Sequence, residues 1–459
     1  MSQSDTLIPA EASAQAKRRK RLSVAFGSRF FLLIVIGLGW LAPAFRDSRF
    51  LYGMLVWDLL ALVAWLVDLT RLPKPQQLTV HRRWGGAPAL SVSAPVTLVL
   101  ENKSNTTIHT TLLDNIPPQV RLGAPELELS VPPREEASKT YEILPSKRGD
   151  AALGSVYVRY QGPLRIAERW AVADAEQTVC VYPNLQEAQR HSVYLIRSRQ
   201  IEMEKRYSRI KGAGREFESL REYREGDEYR DICWTATARR GKLVTRLYQV
   251  ERSQTIWLVI DSGRLMRAQV AGLTKLDYAV NAALSLGQVA MGSGDRVGLL
   301  AYGRGVRHRV LPYRGGPHLR QIIDRLAHIE EESSEADHLQ AVSELLSTQK
   351  RRSLIVWLTD FPETAMTPEV IDAAAQMTAR HLVLFVVIGQ PDLVEVAAKE
   401  PATITEMYLT TAAQEMLHRR EVLLAKLRQR GALAVEVSSA GASAAVVNSY
   451  LEAKERNLL

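Results

Sequence analysis

The period of apolar and polar positions changes three times along the chain. Residues 30–45, FFLLIVIGLGWLAPAF, and 50–67, FLYGMLVWDLLALVAWLV, are apolar runs separated by the polar RDSR. Each falls slightly short of the roughly 20 residues that cross a bilayer, and Arg29 and Arg46 can reach headgroups along their apolar stems. The pattern predicts a two-helix transmembrane hairpin over 29–70. A second apolar run following at once is not what a cleaved signal peptide looks like; a buried hairpin in a soluble protein is the alternative. Asp58 sits near the middle of the second run, where a carboxylate costs roughly 2.5–3.5 kcal/mol. It calls for protonation, or for a partner within the hairpin or an oligomer.

Over 76–184 the pattern becomes short β-branched runs broken by Pro, Gly and Asn, among them LSVSAPVTLVLEN, KTYEILPS and GSVYVRY. Regular short strands with turn punctuation predict an antiparallel β-sandwich. From 253 to 459 continuous apolar runs, TIWLVID, SLIVWLTD and LVLFVVIG, alternate with helical patterns at 276–291, 318–329, 339–347 and 368–380. Strands buried on both faces and alternating with helices predict a doubly wound α/β domain. RVGLLAYGRGVRHRVLPY reads as a hairpin turning at Gly303–Gly305, which makes one strand an antiparallel edge. A long helix over 412–430, the strand ALAVEVS and a helix over 443–455 close the pattern.

Composition adds compartment and orientation. An apolar share of 46% is that of a globular protein, and the net charge is +9. Part of that charge is KRRKR, Lys17–Arg21, within a basic cytoplasmic tail over 1–28. The two cysteines, Cys180 and Cys233, provide no disulfide framework and fit a reducing compartment. Arg71, Lys74, Arg82 and Arg83 follow the second apolar run, whereas the loop between the runs has only Arg46 and Arg49, offset by Asp47. Positive-inside logic places both termini and the soluble domains in the cytoplasm, on a multi-pass inner-membrane protein.

Ligands of open α/β sheets bind beyond the carboxyl ends of the strands. Asp261 and Asp360 occupy that position, each ending an apolar strand. A strand ending in Asp, an antiparallel hairpin and a later strand ending in LTD resemble a von Willebrand factor type A domain. That resemblance implies a divalent cation, Mg²⁺, held by Asp-x-Ser-x-Ser with a distant Thr and Asp. Here the motif reads DSGRL. Gly263 and Leu265 stand where the serines would be, Ser262 is out of register, and only Ser333 and Ser334 offer themselves near the remote Thr position. The expected site is therefore degenerate, with Asp261 and Asp360 left to cap helices or pair with arginines.

The segment 185–252 carries the densest chemistry. GREFESLREYREGDEYRDICWTATARRG, Gly214–Gly241, holds six arginines and seven carboxylates among Phe217, Leu220, Tyr223, Tyr229 and Trp234. Phe217, Leu220 and Arg224 predict a helix within 215–224, with Glu218–Arg221 and Arg221–Glu225 spaced for ion pairs. LVTRLYQV, 243–250, predicts a strand pairing antiparallel with 255–260 through the turn ERSQ. GAGREF lacks the Lys-Ser/Thr of a phosphate loop. No HExxH, Cys/His metal spacing or GxSxG elbow is present. The arginines alternate with acids, unlike a nucleic-acid face.

This wording resembles the signature of the bacterial DUF58 family, matched in order by Glu216, Phe217, Leu220, Arg221, Tyr223, Gly226, Asp227, Arg230, Ile232, Trp234, Ala238 and Arg239. The resemblance implies a MoxR-type AAA+ ATPase as partner and brings no catalytic residues. The expected function is a membrane-anchored protein-interaction module without cofactor, an adaptor or co-chaperone. Glu216, Arg221, Tyr223, Asp227, Arg230, Trp234 and Arg239 would face the partner. The rivals are a metal-dependent hydrolase using Asp261 and Asp360, and a structural envelope component.

Overall fold

The computed structural model describes residues 7–18, 23–184, 216–224, 229, 232–249, 253–361, 368–456 and 458. Two compact units divide the chain, Met1–Asn184 and Leu185–Leu459.

The first unit opens with two strands, β1 (Ala12–Arg18) and β2 (Val24–Phe26), in the segment expected to be a tail. β1 inserts between later strands because Ala16 is small enough to be fully buried while Lys17 reaches outward to Asp174. Three helices follow, α1 (Ser28–Leu38), α2 (Leu41–Ala44) and α3 (Phe50–Arg71). The 22 residues of α3 make it the one described helix long and apolar enough to cross a membrane. Leu55, Leu59, Leu60 and Leu66 are each more than half exposed along it. Of the two expected spanning helices only α3 meets the length; the first run is divided into α1, whose 11 residues rise about 16 Å against a core of ~30 Å, and the short α2. Gly39 ends α1, and Pro43, which cannot donate to the helix ladder, falls within the four-residue α2.

The remaining strands of this unit are β3 (Leu78–Trp84), β4 (Ala94–Asn102), β5 (Ile108–Asp114), β6 (Glu126–Val131), β7 (Glu136–Ile143), β8 (Gly149–Leu153), β9 (Val156–Gln161), β10 (Ala167–Ala173) and β11 (Gln177–Val181). Eight strands run in the order β6-β5-β9-β10-β1-β3-β4-β7, with β2 on β10 and a separate β8–β11 pair. The end strands β6 and β7 touch without a ladder. The expected sandwich is thus a nearly closed antiparallel barrel. Alternation along each strand serves either shape; what differs is which strands pair, and β1 supplies the link that carries one sheet around. Leu98, Leu100, Leu112, Val158 and Tyr160 fill the interior. Arg82 lies among them, fully buried, bound to both Asp114 oxygens (2.6 and 3.2 Å) and to the carbonyls of Ala175 and Gly154.

In the second unit, β12 (Glu216–Glu222) and β13 (Val244–Gln249) form an antiparallel pair flanking α4 (Trp234–Arg240). Two expectations fail here. The stretch 216–222 is a strand, not a helix, with a break in register between Phe217 and Ser219, so the helical spacing of Glu218 and Arg221 does not apply. β13 pairs with β12 and not with β14 (Thr255–Asp261), whose two edges are already taken by β17 (Arg296–Tyr302) and β19 (Leu354–Thr359). The main sheet runs β18-β17-β14-β19-β20-β21, completed by β18 (Val306–Tyr313), β20 (Leu382–Ile388) and β21 (Leu433–Val437). All its neighbours are parallel except the predicted hairpin edge, β17–β18. A short β15–β16 pair (Gln269–Val270, Leu273–Thr274) precedes α5 (Lys275–Gly292). The other helices are α6 (Gly316–Ala327), α7 (His338–Thr348), α8 (Pro368–Thr378), α9 (Pro391–Ala398), α10 (Ile404–Gln429) and α11 (Ala442–Glu455). Every residue of β19 is buried, as its uninterrupted apolar run requires.

Candidate functional site

β14 and β19 are adjacent and parallel, so their carboxyl ends bring Asp261 and Asp360 together. Both are buried, and every oxygen is engaged. Asp261 Oδ1 accepts from the Gly263 amide at 2.7 Å, and its Oδ2 from the Thr359 hydroxyl at 2.7 Å. Asp360 Oδ2 accepts from Lys275 Nζ at 2.6 Å. Its Oδ1 accepts from the Phe361 amide at 2.9 Å and from Arg420 Nη2 at 3.2 Å. Arg420 also binds Glu436 at 2.9 Å, tying α10 to β21. Burial pushes the Asp261 carboxyl up to about 6; Thr359 and Gly263 oppose the rise, and Asp360 and Glu332 add to it.

A divalent ion does not fit these residues. Ser262 donates its hydroxyl back to the Tyr302 carbonyl at 2.9 Å. A Cβ on Gly263 would lie 2.9 Å from Ala336, so the backbone leaves no room there for a ligating serine. Ser334 is committed to Glu332 at 3.1 Å, and Ser333 is exposed. Glu332 itself closes the β17–β18 turn, accepting from Arg307 at 2.6 Å and from the Arg304 amide at 3.1 Å. Lys275 and Arg420 supply the positive charge that Asp360 needs. Neither was singled out from the sequence, although a lysine in the first turn of a helix, beside the capping pair Thr274 and Asp277, opposes the helix dipole and was a legible signal.

The signature is a small structure of its own. Ile232, Cys233, Val244 and Thr245 are buried between α4 and β13. The Cys233 amide donates to Val244, and the Val244 amide to the Thr237 hydroxyl at 3.0 Å. Gly241 ends α4 at φ +64°, a left-handed cap that suits glycine. Hydrogen bonds with Thr235 and Arg246, and the Ala236 amide, pull the Cys233 thiol down to about 7. Two of its aromatic residues are exposed, Trp234 at 66% and Tyr229 at 76%, and Tyr229 stacks on the half-buried Tyr223 at 6.1 Å. Arg239 is exposed and Arg221 half-buried in β12. Glu216 begins β12. Asp227 and Arg230 lie outside the described residues.

One surface escaped the sequence pattern altogether. α9 has no buried residue, and Ile404, Met407, Tyr408 and Leu409 are exposed on the first turns of α10, which begins before the predicted 412.

Two curated relatives align with part of the chain. An uncharacterized protein of Mycobacterium tuberculosis is 29% identical over 190 residues, 40% of this chain and 58% of the relative. The uncharacterized protein YeaD of Bacillus subtilis is 24% identical over 200 residues, 42% and 46% of the respective chains. The matches thus span about half the length of these relatives. Among solved structures, an aerotolerance-related membrane protein of Bacteroides fragilis has a TM-score of 0.29 at 10% identity, covering 44% of this chain and 100% of that one. The conserved hypothetical protein BatB of Bacteroides thetaiotaomicron has a TM-score of 0.29 at 12% identity, covering 44% and 99%. From the signature strand β12 to the middle of α10, residues 219–421 match the family described as Protein of unknown function DUF58.

Proposed function

We propose that this chain is a membrane-anchored interaction module that docks a MoxR-type AAA+ ATPase through the DUF58 signature surface. The observation that carries the reading is the exposure of Trp234 and Tyr229, with Arg239 also exposed on α4. Leaving two large aromatics in water has no packing rationale, and Trp, Tyr and Arg are the residues that dominate interface hot spots. We place the hydrolase alternative second, since the oxygens of Asp261 and Asp360 are already engaged by Gly263 and Thr359, and by Phe361, Lys275 and Arg420. In this reading the α/β domain, which we take as von Willebrand factor A-like, is the scaffold of the module.

Anchoring follows from strand pairing. β1 and β2 precede α1, yet both pair with β10, which follows α3. An odd number of crossings between them would put paired strands on opposite sides of the bilayer. The apolar helices therefore enter and leave from one face, as a hairpin in which α1 and α2 return against α3. Gly37 permits the contact: a Cβ there would lie 2.7 Å from Trp57 and 3.0 Å from Asp58. Asp58 thus faces the neighbouring helix. The arginine asymmetry supports the reading that the flanks are cytoplasmic.

Replacing Trp234 with a photoreactive amino acid in cells tests the docking. The proposal expects a crosslink to the ATPase; crosslinking only to lipid, or not at all, contradicts it. Fluorescent-protein and alkaline-phosphatase fusions after Leu459 test the side, and a dark fluorophore with active phosphatase would refute the cytoplasmic assignment.

A further inference from the structure

Lys275 is placed where a lysine is doubly disfavoured. It is 1% exposed, and buried lysines are rare unless paired. It also occupies the first position of α5, where the exposed amide dipoles repel a cation. What holds it is Asp360 at 2.6 Å, itself 4% exposed. The ammonium sits at the carboxyl edge of β14 and β19, the ground on which the sheet gathers two acids. Arg420 approaches the other Asp360 oxygen and passes on to Glu436, so a single charge network joins α5, β19, α10 and β21.

We infer that the Lys275 ammonium is the resident cation of this edge, a tethered positive charge that does the structural work of a divalent ion and makes the edge independent of metal. A bound ion couples fold to its concentration, since binding only the native state stabilises it by mass action. A lysine in the chain removes that dependence. The carboxylates beneath it remain hard oxygen donors of the kind Mg²⁺ and Mn²⁺ take. Taking away the ammonium without filling its space therefore uncovers a divalent site made by Asp360, the Thr359 hydroxyl, Asp261 and water.

Mn²⁺ titration of the detergent-solubilised full chain, by calorimetry and thermal unfolding, tests the inference. The parent chain is expected to give no saturable heat and an unmoved Tm. Lys275→Ala is expected to lower the Tm and to bind Mn²⁺ saturably, with the Tm rising again as the metal is added. Lys275→Met, which fills the space with an uncharged stem of similar length, should lower the Tm without metal rescue. Lys275→Ala combined with Asp360→Asn should bind no metal. Saturable Mn²⁺ binding by the parent that Asp360→Asn abolishes would overturn the inference. So would a Lys275→Ala chain that gains no Mn²⁺ affinity, or one that fails to fold with or without Mn²⁺.

Discussion

Asp261→Asn removes a charge that the fold holds at a loss. The carboxyl is buried, and burial pushes its pKa from 3.8 up to about 6, worth ~3 kcal/mol. The sign follows from proton counting. Between 3.8 and about 6 the native chain holds a proton that the unfolded chain has released. Raising the pH through that window therefore destabilises the fold, and the loss is complete above it. Asparagine escapes the loss. Its oxygen can accept from Gly263 as before, and Thr359, whose hydroxyl already lies 3.2 Å from the Asp360 carbonyl, can turn to accept from the new amide. Exchanging charge-assisted hydrogen bonds for neutral ones gives back about 1 kcal/mol. The net expectation is a variant more stable than the parent by roughly 1–3 kcal/mol at pH 8. This advantage disappears as the pH falls below the usual aspartate value. Urea unfolding of parent and variant at a series of pH values measures the difference directly. A variant less stable at pH 8, or a difference that does not change with pH, would refute the reasoning.

Other outcomes follow from single contacts. Arg82→Met leaves Asp114 buried without its cation and should cost about 3–5 kcal/mol. That lowers the Tm of the barrel unit by on the order of 10 °C, and Asp114→Leu in the same chain should recover part of the loss; an unchanged Tm for Arg82→Met would contradict it. Gly241→Ala meets no atom within 4 Å, so its cost is purely that of a left-handed backbone at φ +64°, about 1 kcal/mol by thermal denaturation. A neutral result would mean that the α4 cap is not held in this conformation.

The α/β unit was legible because strands covered on both faces cannot hide their character. TIWLVID, SLIVWLTD and LVLFVVIG are β14, β19 and β20 with their neighbours in parallel register. The barrel was legible as strands but not as a closed surface, since its pairing depends on β1, whose inward positions Ala12, Ala14 and Ala16 alternate with polar residues but are too small to give a strong apolar signal. The signature misled for two reasons. Phe217 and Leu220 fit a helix as well as a strand, and the short turn after β13 suggested a local hairpin when its partner, β12, lies on the far side of α4. In the first apolar run, Gly39 and Pro43 were the marks of a break. Asp261 and Asp360 were placed correctly at one edge, but their cations were invisible to pattern because lysine and arginine normally belong to the surface.

The proposed docking requires that the exposed Trp234, Tyr229 and Arg239 of the signature are there to be bound. Co-purification of the full chain with the proposed MoxR-type ATPase partner, read beside the Tm of each variant, tests it most directly. Trp234→Ala and Arg239→Ala remove exposed side chains, so the account predicts Tm values nearly equal to the parent and a binding loss of at least tenfold, about 1.4 kcal/mol or more. Undiminished binding by both variants, or a large fall in Tm from either, would contradict it.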